Sequence, residues 1–309
     1  MISTDRVARP RHLEPGRVLD ADTSRCPFCP GNESHTPPSL LTVNGPDGWR
    51  VRAFPNRFPA VGIEGELDAR ARGPYDVVGG VGAHEVIVET RDHVRPPWHD
   101  PRQQALALLA ARDRMRDLAR DSRFQAILWF RNHGPEAGAS LGHPHAQVVA
   151  LPIVPPRLAH ITKRFRRHHQ AHGRELMKDV LDFERADRRR VLFDDVQTTT
   201  FLAYAPRFAF ETWIVPNAPA ASFLEATDAM IDEVATAMCR VIVAFDRVLA
   251  EPPHNALIVT APAGSGPGFR WHITLMPRMA AFAGFELLSG ASLTGTAPEE
   301  AARLMRTKL

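Results

Sequence analysis

Two segments repeat their apolar residues with helical period. Between Pro101 and Arg120 these are Leu106, Leu108, Leu109, Met115 and Leu118. Between Ala226 and Leu249 they are Met230, Ile231, Val234, Met238, Val241, Ile242 and Phe245. Each set falls on one stripe of a helix, and the Met and Phe side chains on it are read as core. Apolar runs of strand length at 84–90, 124–131, 147–152, 210–216, 255–261 and 271–276 predict six strands. Pro298-Glu299-Glu300 ahead of an Ala/Leu run starts a short terminal helix, with proline in its first turn. The Arg- and Asp-rich stretch 155–197 reads as a mostly helical connector, and Gly264–Gly268 as a strand-connecting loop.

The order of these elements repeats. A strand opening Glu85-Val-Ile-Val, a long helix, a strand into Arg131-Asn132-His133, and a strand running to Pro152 form one series. Glu211-Thr-Trp-Ile-Val, a long helix, Asn255-Ala-Leu-Ile-Val, and a strand running to Pro277 form the second. The pattern is that of a duplicated α+β unit, with the first copy active.

Composition narrows the class. The chain of 309 residues is 44% apolar, enough for two modest cores, and no run approaches the roughly 20 apolar residues that cross a bilayer. The start Met-Ile-Ser-Thr-Asp-Arg has no apolar signal core, so a cytoplasmic location is expected. Net charge is only +3, and lysines are confined to Lys163, Lys178 and Lys308, so the first half holds no phosphate-loop lysine. The cluster Lys163, Arg164, Arg166, Arg167, His168, His169 has no interleaved aromatic beyond Phe165, and reads as a solvated helix face rather than a nucleic-acid patch.

Two motifs carry chemistry. Ser140-Leu-Gly-His-Pro-His-Ala-Gln147 leads into an apolar strand, and side chains two apart in an extended chain share a face, so His143, His145 and Gln147 project together. An imidazole nucleophile with a neutral hydrogen-bond donor nearby suits attack at a phosphoryl group. The same pair of histidines also suits metal ligation or a satisfied half-buried site. Cys26-Pro-Phe-Cys29 has the spacing of half a zinc site, and Pro30-Gly31-Asn32 after it reads as a loop rather than the helix a redox motif expects. The third cysteine, Cys239, falls in a helix, which leaves no disulfide framework; His93 and His143 are the candidate nitrogen ligands.

Five blocks resemble, in order, the galactose-1-phosphate uridylyltransferases, the nucleotidyltransferase branch of the histidine-triad superfamily. They are Cys-Pro-Phe-Cys-Pro-Gly-Asn-Glu (26–33), Phe-Pro-Asn-Arg-Phe-Pro-Ala (54–60), His-Glu-Val-Ile-Val-Glu-Thr-Arg-Asp-His (84–93), Arg131 through Gln147, and Phe-Glu-Thr-Trp-Ile-Val-Pro (210–216). The resemblance implies two tandem histidine-triad-like domains, antiparallel sheets flanked by helices: a catalytic unit with a zinc site over 1–175, and a unit with sugar-side and dimer contacts over 176–309. It implies His145 as nucleophile, with Gln147 on the phosphoryl oxygens and Ser140 and Asn132 holding the phosphates. Asn56, followed by Arg57, falls where the nucleoside is read, and Glu286 where sugar hydroxyls are held. Cys26, Cys29, His93 and His143 become zinc ligands. Substrates would be a nucleotide sugar and a sugar 1-phosphate, exchanged by a homodimer through a nucleotidyl-histidine, with no nucleic-acid or membrane partner.

Two departures qualify this. Arg270 stands where many relatives have a histidine, which argues against a second metal and leaves His272 structural or substrate-side. Arg57 stands where several uridylyltransferases have aspartate, so recognition of base or ribose is expected to differ. The same core would serve a phosphorylase or hydrolase of adenylyl type, and a catalytically silent nucleotide-binding protein is the third reading, against which the intact Ser140, His145 and Gln147 stand.

Overall fold

A computed structural model describes residues 23–309; the first residues, including the Met-Ile-Ser-Thr-Asp-Arg start, lie outside the described residues. Twelve strands form among them: β1 (Leu41–Gly45), β2 (Gly48–Pro55), β3 (Arg70–Arg72), β4 (Tyr75–Val77), β5 (Ala83–Val88), β6 (Ala126–His133), β7 (His145–Leu151), β8 (Val191–Asp194), β9 (Thr198–Leu202), β10 (Thr212–Pro216), β11 (His254–Val259) and β12 (His272–Pro277). The helices are α1 (Pro101–Leu118), α2 (Pro156–His172), α3 (Leu176–Asp187), α4 (Asp228–Leu249), α5 (Gly284–Ser289) and α6 (Pro298–Arg306). No described helix is long and apolar enough to cross a membrane.

Ten strands make one sheet in the order β1-β2-β5-β7-β6-β11-β12-β10-β9-β8, every neighbouring pair antiparallel. The order has the same form from either edge: β1-β2-β5-β7-β6 is matched by β8-β9-β10-β12-β11, and the copies join where β6 pairs with β11. The internal repeat in the sequence is therefore a repeat of topology. β3 and β4 form a separate hairpin.

One face of the sheet is covered by α1 and α4. Their apolar stripes, among them Leu108, Met115, Ile231, Met238 and Phe245, pack with Ile87, Trp129, Val148, Ile214, Ile258 and Ile273 into the main core. Both helices start where capping chemistry permits. Asp100 accepts from Arg102 N–H with Pro101 in the first turn, and Thr227 accepts from Met230 N–H. On the opposite face α2 and α3 cover the second half through Leu158, Phe165, Met177 and Leu181, and Phe165 stacks on Phe269 at 4.6 Å. The basic residues flanking Phe165 are solvated, as expected of that cluster. Over the first half this face is covered by the Cys26–Cys29 segment, which packs on Phe54, Val86 and Val88.

Buried ion pairs pin the site strands from behind. Arg114 of α1 grips Glu85 through two bonds of 2.8 and 2.7 Å, and Arg131 grips Glu89 at 2.7 and 2.6 Å while also donating to Gln104. Both partners of the second pair are 1% exposed, so either one left alone would cost several kcal/mol, and the geometry is correspondingly fixed. The connector departs from the expectation at its end: after α2 and α3 the chain forms β8, with Val191 and Phe193 buried.

Candidate functional site

The site face of the first half is set by strand alternation. On β5 the residues Ala83, Glu85 and Ile87 turn toward α1, which leaves His84, Val86 and Val88 on the other side. On β7, Ala146, Val148 and Ala150 join the helical core, so His145, Gln147 and Val149 share the side that carries the chemistry.

Four candidate ligands converge beside this face. The ligand atoms of Cys26, Cys29, His93 and His143 all lie within 4.8 Å of one another. Cys26 Sγ is 3.7 Å and Cys29 Sγ 3.5 Å from His143 Nδ1, and Cys29 Sγ is 3.3 Å from His93 Nδ1. A tetrahedral zinc with ordinary bond lengths separates its sulfur and nitrogen ligands by about 3.5 Å, so the quartet has the dimensions of such a site. The second ring nitrogen of His143 confirms the polarity. Nε2 lies 2.8 Å from the Thr90 carbonyl, which can only accept, so Nε2 carries the proton and Nδ1 turns its lone pair into the quartet. Burial pulls the His143 imidazole down to about 4 and keeps it neutral, as a ligand must be. Burial, with Cys26 beside it, pushes the Cys29 thiol up to about 12, so the thiolate form needs a cation to neutralise it.

His145 begins β7 directly beyond this anchor; His143 itself precedes the strand, joined through Pro144, whose ring restricts the backbone. His145 Nδ1 lies 2.8 Å from the His143 carbonyl, which again can only accept; Nδ1 therefore carries the proton and Nε2 the lone pair. Phe28, between the two cysteines, packs its ring against both imidazoles, with centroids 5.2 Å from His145 and 6.1 Å from His143.

The remaining candidates are distributed as follows. Asn56 sits at the end of β2 with Oδ1 accepting from Phe58 N–H at 2.8 Å and Nδ2 directed at His84. Arg57 is exposed, its guanidinium over the Phe58 ring. Asn132, on β6, has its Oδ1 taken by Asn255 Nδ2 at 2.8 Å, and Asn255 in turn accepts from Arg278. The second half thus orients a candidate phosphate-holding residue of the first. Ser140 lies half-buried in the loop between β6 and β7, a loop that turns through Gly134 and Gly138, both at positive φ. Glu286 stands outside this hydrogen-bond network, its carboxylate accepting from Ala283 N–H at the start of α5.

His84, Phe28 and Asn255 are site residues to which the sequence reading gave no role, although each lies within a quoted block or strand. Their signal is chemical, a buried polar or aromatic side chain on the site face, and it becomes visible only once the faces are known.

The second copy of the unit has a different side chain at the corresponding position. His272 Nδ1 lies 3.3 Å from the Arg270 carbonyl, the relation that His145 has to His143, so Arg270 occupies the place of the ligand His143. Its buried guanidinium binds Glu175 and the carbonyls of Pro216 and Asn217. A cation already stands there, and among the described residues the quartet of the first half is the one clustered metal-ligand set.

Comparison with known proteins agrees with this architecture. Residues 83–154 match the N-terminal domain of a domain of unknown function, DUF4931. The chain is 26% identical to the ADP-glucose phosphorylase of Arabidopsis thaliana over 291 residues, covering 92% of this chain and 82% of that protein. It is 27% identical to the galactose-1-phosphate uridylyltransferase of Thermotoga maritima over 305 residues, 94% of this chain and 91% of the other. Among solved structures, the Arabidopsis ADP-glucose phosphorylase with bound ADP-glucose superposes with a TM-score of 0.83 at 25% identity, covering 98% of this chain and 93% of that one. A uridylyltransferase mutant superposes with a TM-score of 0.81 at 27% identity, over 92% and 93% of the two chains. In sequence and in fold, over nearly its whole length, the chain is similar to galactose-1-phosphate uridylyltransferases and to ADP-glucose phosphorylase.

Proposed function

We propose that this protein transfers a nucleoside monophosphate from a nucleoside diphosphate sugar to a phosphate acceptor, through a covalent intermediate on His145. The observation that carries the reading is the tautomer of His145: Nδ1–H is committed to the His143 carbonyl at 2.8 Å, which places the nucleophilic lone pair on Nε2. Nε2 attacks the α-phosphorus, and the bond to the bridging oxygen breaks, that oxygen leaving with the electron pair as the sugar 1-phosphate. The ring, now substituted at Nε2 and still protonated at Nδ1, is cationic; the His143 carbonyl stabilises it, and no proton has to move. An oxygen of the acceptor phosphate then attacks the same phosphorus and releases neutral imidazole. Gln147 donates to the phosphoryl oxygens, and Asn132 and Ser140 hold the flanking phosphate.

Cys26, Cys29, His93 and His143 would hold a zinc ion, whose contribution is to fix the chain on the N-terminal side of His145. The Asn56–Arg57 segment is placed on the nucleoside and Glu286 on the sugar, with units divided near residue 175. The acting form is a homodimer, for which the exposed apolar side chains Phe282, Phe285, Leu287, Leu288 and Leu293 offer surface.

The acceptor separates two versions of this chemistry. With a sugar 1-phosphate the protein is a uridylyltransferase-like enzyme; with inorganic phosphate it is a nucleotide-sugar phosphorylase. The similarity to ADP-glucose phosphorylase gives the second version its specific support. Intact-protein mass spectrometry after incubation with UDP-glucose or ADP-glucose tests both: a gain of one nucleoside monophosphate, absent in His145→Ala, is expected. Discharge of that adduct by inorganic phosphate or by hexose 1-phosphate identifies the acceptor, and a protein that binds either donor without any adduct or exchange refutes the reading.

A further inference from the structure

Behind Gln147 stands a side chain that the chemistry above does not use. His84 lies on β5, diagonal to Gln147: in the pairing of β5 with β7, His84 faces Val149 and Val86 faces Gln147. It is 4% exposed. Ala60 N–H donates to His84 Nδ1 at 3.0 Å, and since a backbone amide can only donate, Nδ1 holds the lone pair and Nε2 the proton. Nε2–H must then meet an acceptor. Gln147 Oε1 is 2.8 Å away. Asn56 Nδ2 lies 3.1 Å from the same nitrogen but cannot accept, because the oxygen of that amide is taken by Phe58 N–H.

The direction of the Gln147 amide follows. Its oxygen points back at His84 and its N–H pair is left for another partner. A glutamine without such a hold can present either end by rotating its terminal amide. Turned the other way it would set a carbonyl oxygen against a phosphoryl oxygen, and the donor needed for the developing charge would become a repulsion. The turn Asn56-Arg-Phe-Pro-Ala60 acquires a role by the same argument, since it supplies the amide that fixes the His84 tautomer.

We infer that His84 is a positioning residue, which holds Gln147 with its amide N–H directed at the transferred phosphoryl group. This rests on the proposed nucleotidyl transfer through His145. The test is the rate of nucleotidyl-enzyme formation, measured by rapid quench and intact mass with ADP-glucose and with UDP-glucose, together with zinc content. The variants are His84→Asn, His84→Gln, Gln147→Leu and the double variant His84→Asn/Gln147→Leu.

Asparagine keeps an acceptor for Ala60 but stops short of Gln147, whereas the amide nitrogen of glutamine reaches the position of Nε2. His84→Asn is expected to lower the rate at saturating donor by about 10- to 100-fold with KM nearly unchanged, and His84→Gln to recover most of that loss. In the Gln147→Leu background, His84→Asn should cost less than about twofold, because its effect passes through Gln147. An equal fold-loss from His84→Asn in both backgrounds, or a wild-type rate in His84→Asn, overturns the inference while leaving nucleotidyl transfer standing. A wild-type protein that forms no adduct with either donor overturns the proposed function, and the role of His84 with it.

Discussion

The assignment of different roles to His143 and His145, two residues apart, yields a sharp experiment. Replacing His145 by alanine removes one hydrogen bond to the His143 carbonyl, worth about 1 kcal/mol, and an edge contact with Phe28 worth about as much again. The expected loss of stability is therefore about 2 kcal/mol, a shift of several degrees in Tm for a chain of this size. None of the four candidate ligand side chains is altered, so zinc should remain near one ion per chain while nucleotide transfer falls below detection. Cys26→Ala has the opposite profile. It removes one of four candidate ligands, in a site whose free energy of metal binding would be about 10 kcal/mol or more, and leaves Cys29 buried, where desolvation disfavours its thiolate. Zinc content and Tm should fall together. Metal analysis, thermal unfolding and adduct mass on the two variants side by side give the answer. Loss of zinc in His145→Ala, or full zinc in Cys26→Ala, would show that the roles sit on the wrong residues.

Three further outcomes follow from other parts of the molecule. Glu175→Gln leaves the buried Arg270 guanidinium with neutral oxygens in place of its carboxylate partner, and should lower stability by about 2–4 kcal/mol in chemical unfolding without altering zinc content; an unchanged midpoint would mean that the pair contributes little. Burial holds His254 down at about 3 and His272 at about 4, so each stays neutral when folded but takes up a proton when unfolded below pH 6.5. Their contribution is complete above that value and is lost as pH falls toward the folded values, by about 1.4 kcal/mol per pH unit for each histidine; urea midpoints that stay flat between pH 6.5 and 4.5 would contradict this. Asn255→Ala frees the Asn132 amide to rotate, and should reduce the transfer rate by about tenfold; the three side-chain hydrogen bonds it removes should also lower stability by about 2–3 kcal/mol, and a rate equal to wild type would remove the second half from the site.

Much of this protein is determined locally and is legible in the chain. Helical periodicity marks α1 and α4 because each buries one stripe against the same sheet face, and apolar runs mark β5, β6, β7, β10, β11 and β12 because these central strands bury that face fully and most of the other. The spacing of Cys26 and Cys29, and the alternation of His143, His145 and Gln147, are properties of four- and five-residue segments that hold whatever the rest of the fold does. The outer strands were not legible. β8 is four residues in an arginine-rich stretch, β9 reads Thr-Thr-Thr-Phe-Leu with no alternation, and β1 and β2 turn through Gly45 and Gly48; each becomes a strand by pairing with a neighbour already in place. The contacts that aim the chemistry were hidden for the same reason. His84 meets Gln147 across 63 residues, and Asn132 meets Asn255 across 123. Which side chain faces which depends on strand register and on the β6–β11 junction of the two copies, and a shift of one residue would send those groups to the opposite face. Residue types and short spacings determined the chemistry this protein can carry; the long-range pairing of strands decided which of these side chains meet, and so where the amides of Gln147 and Asn132 point.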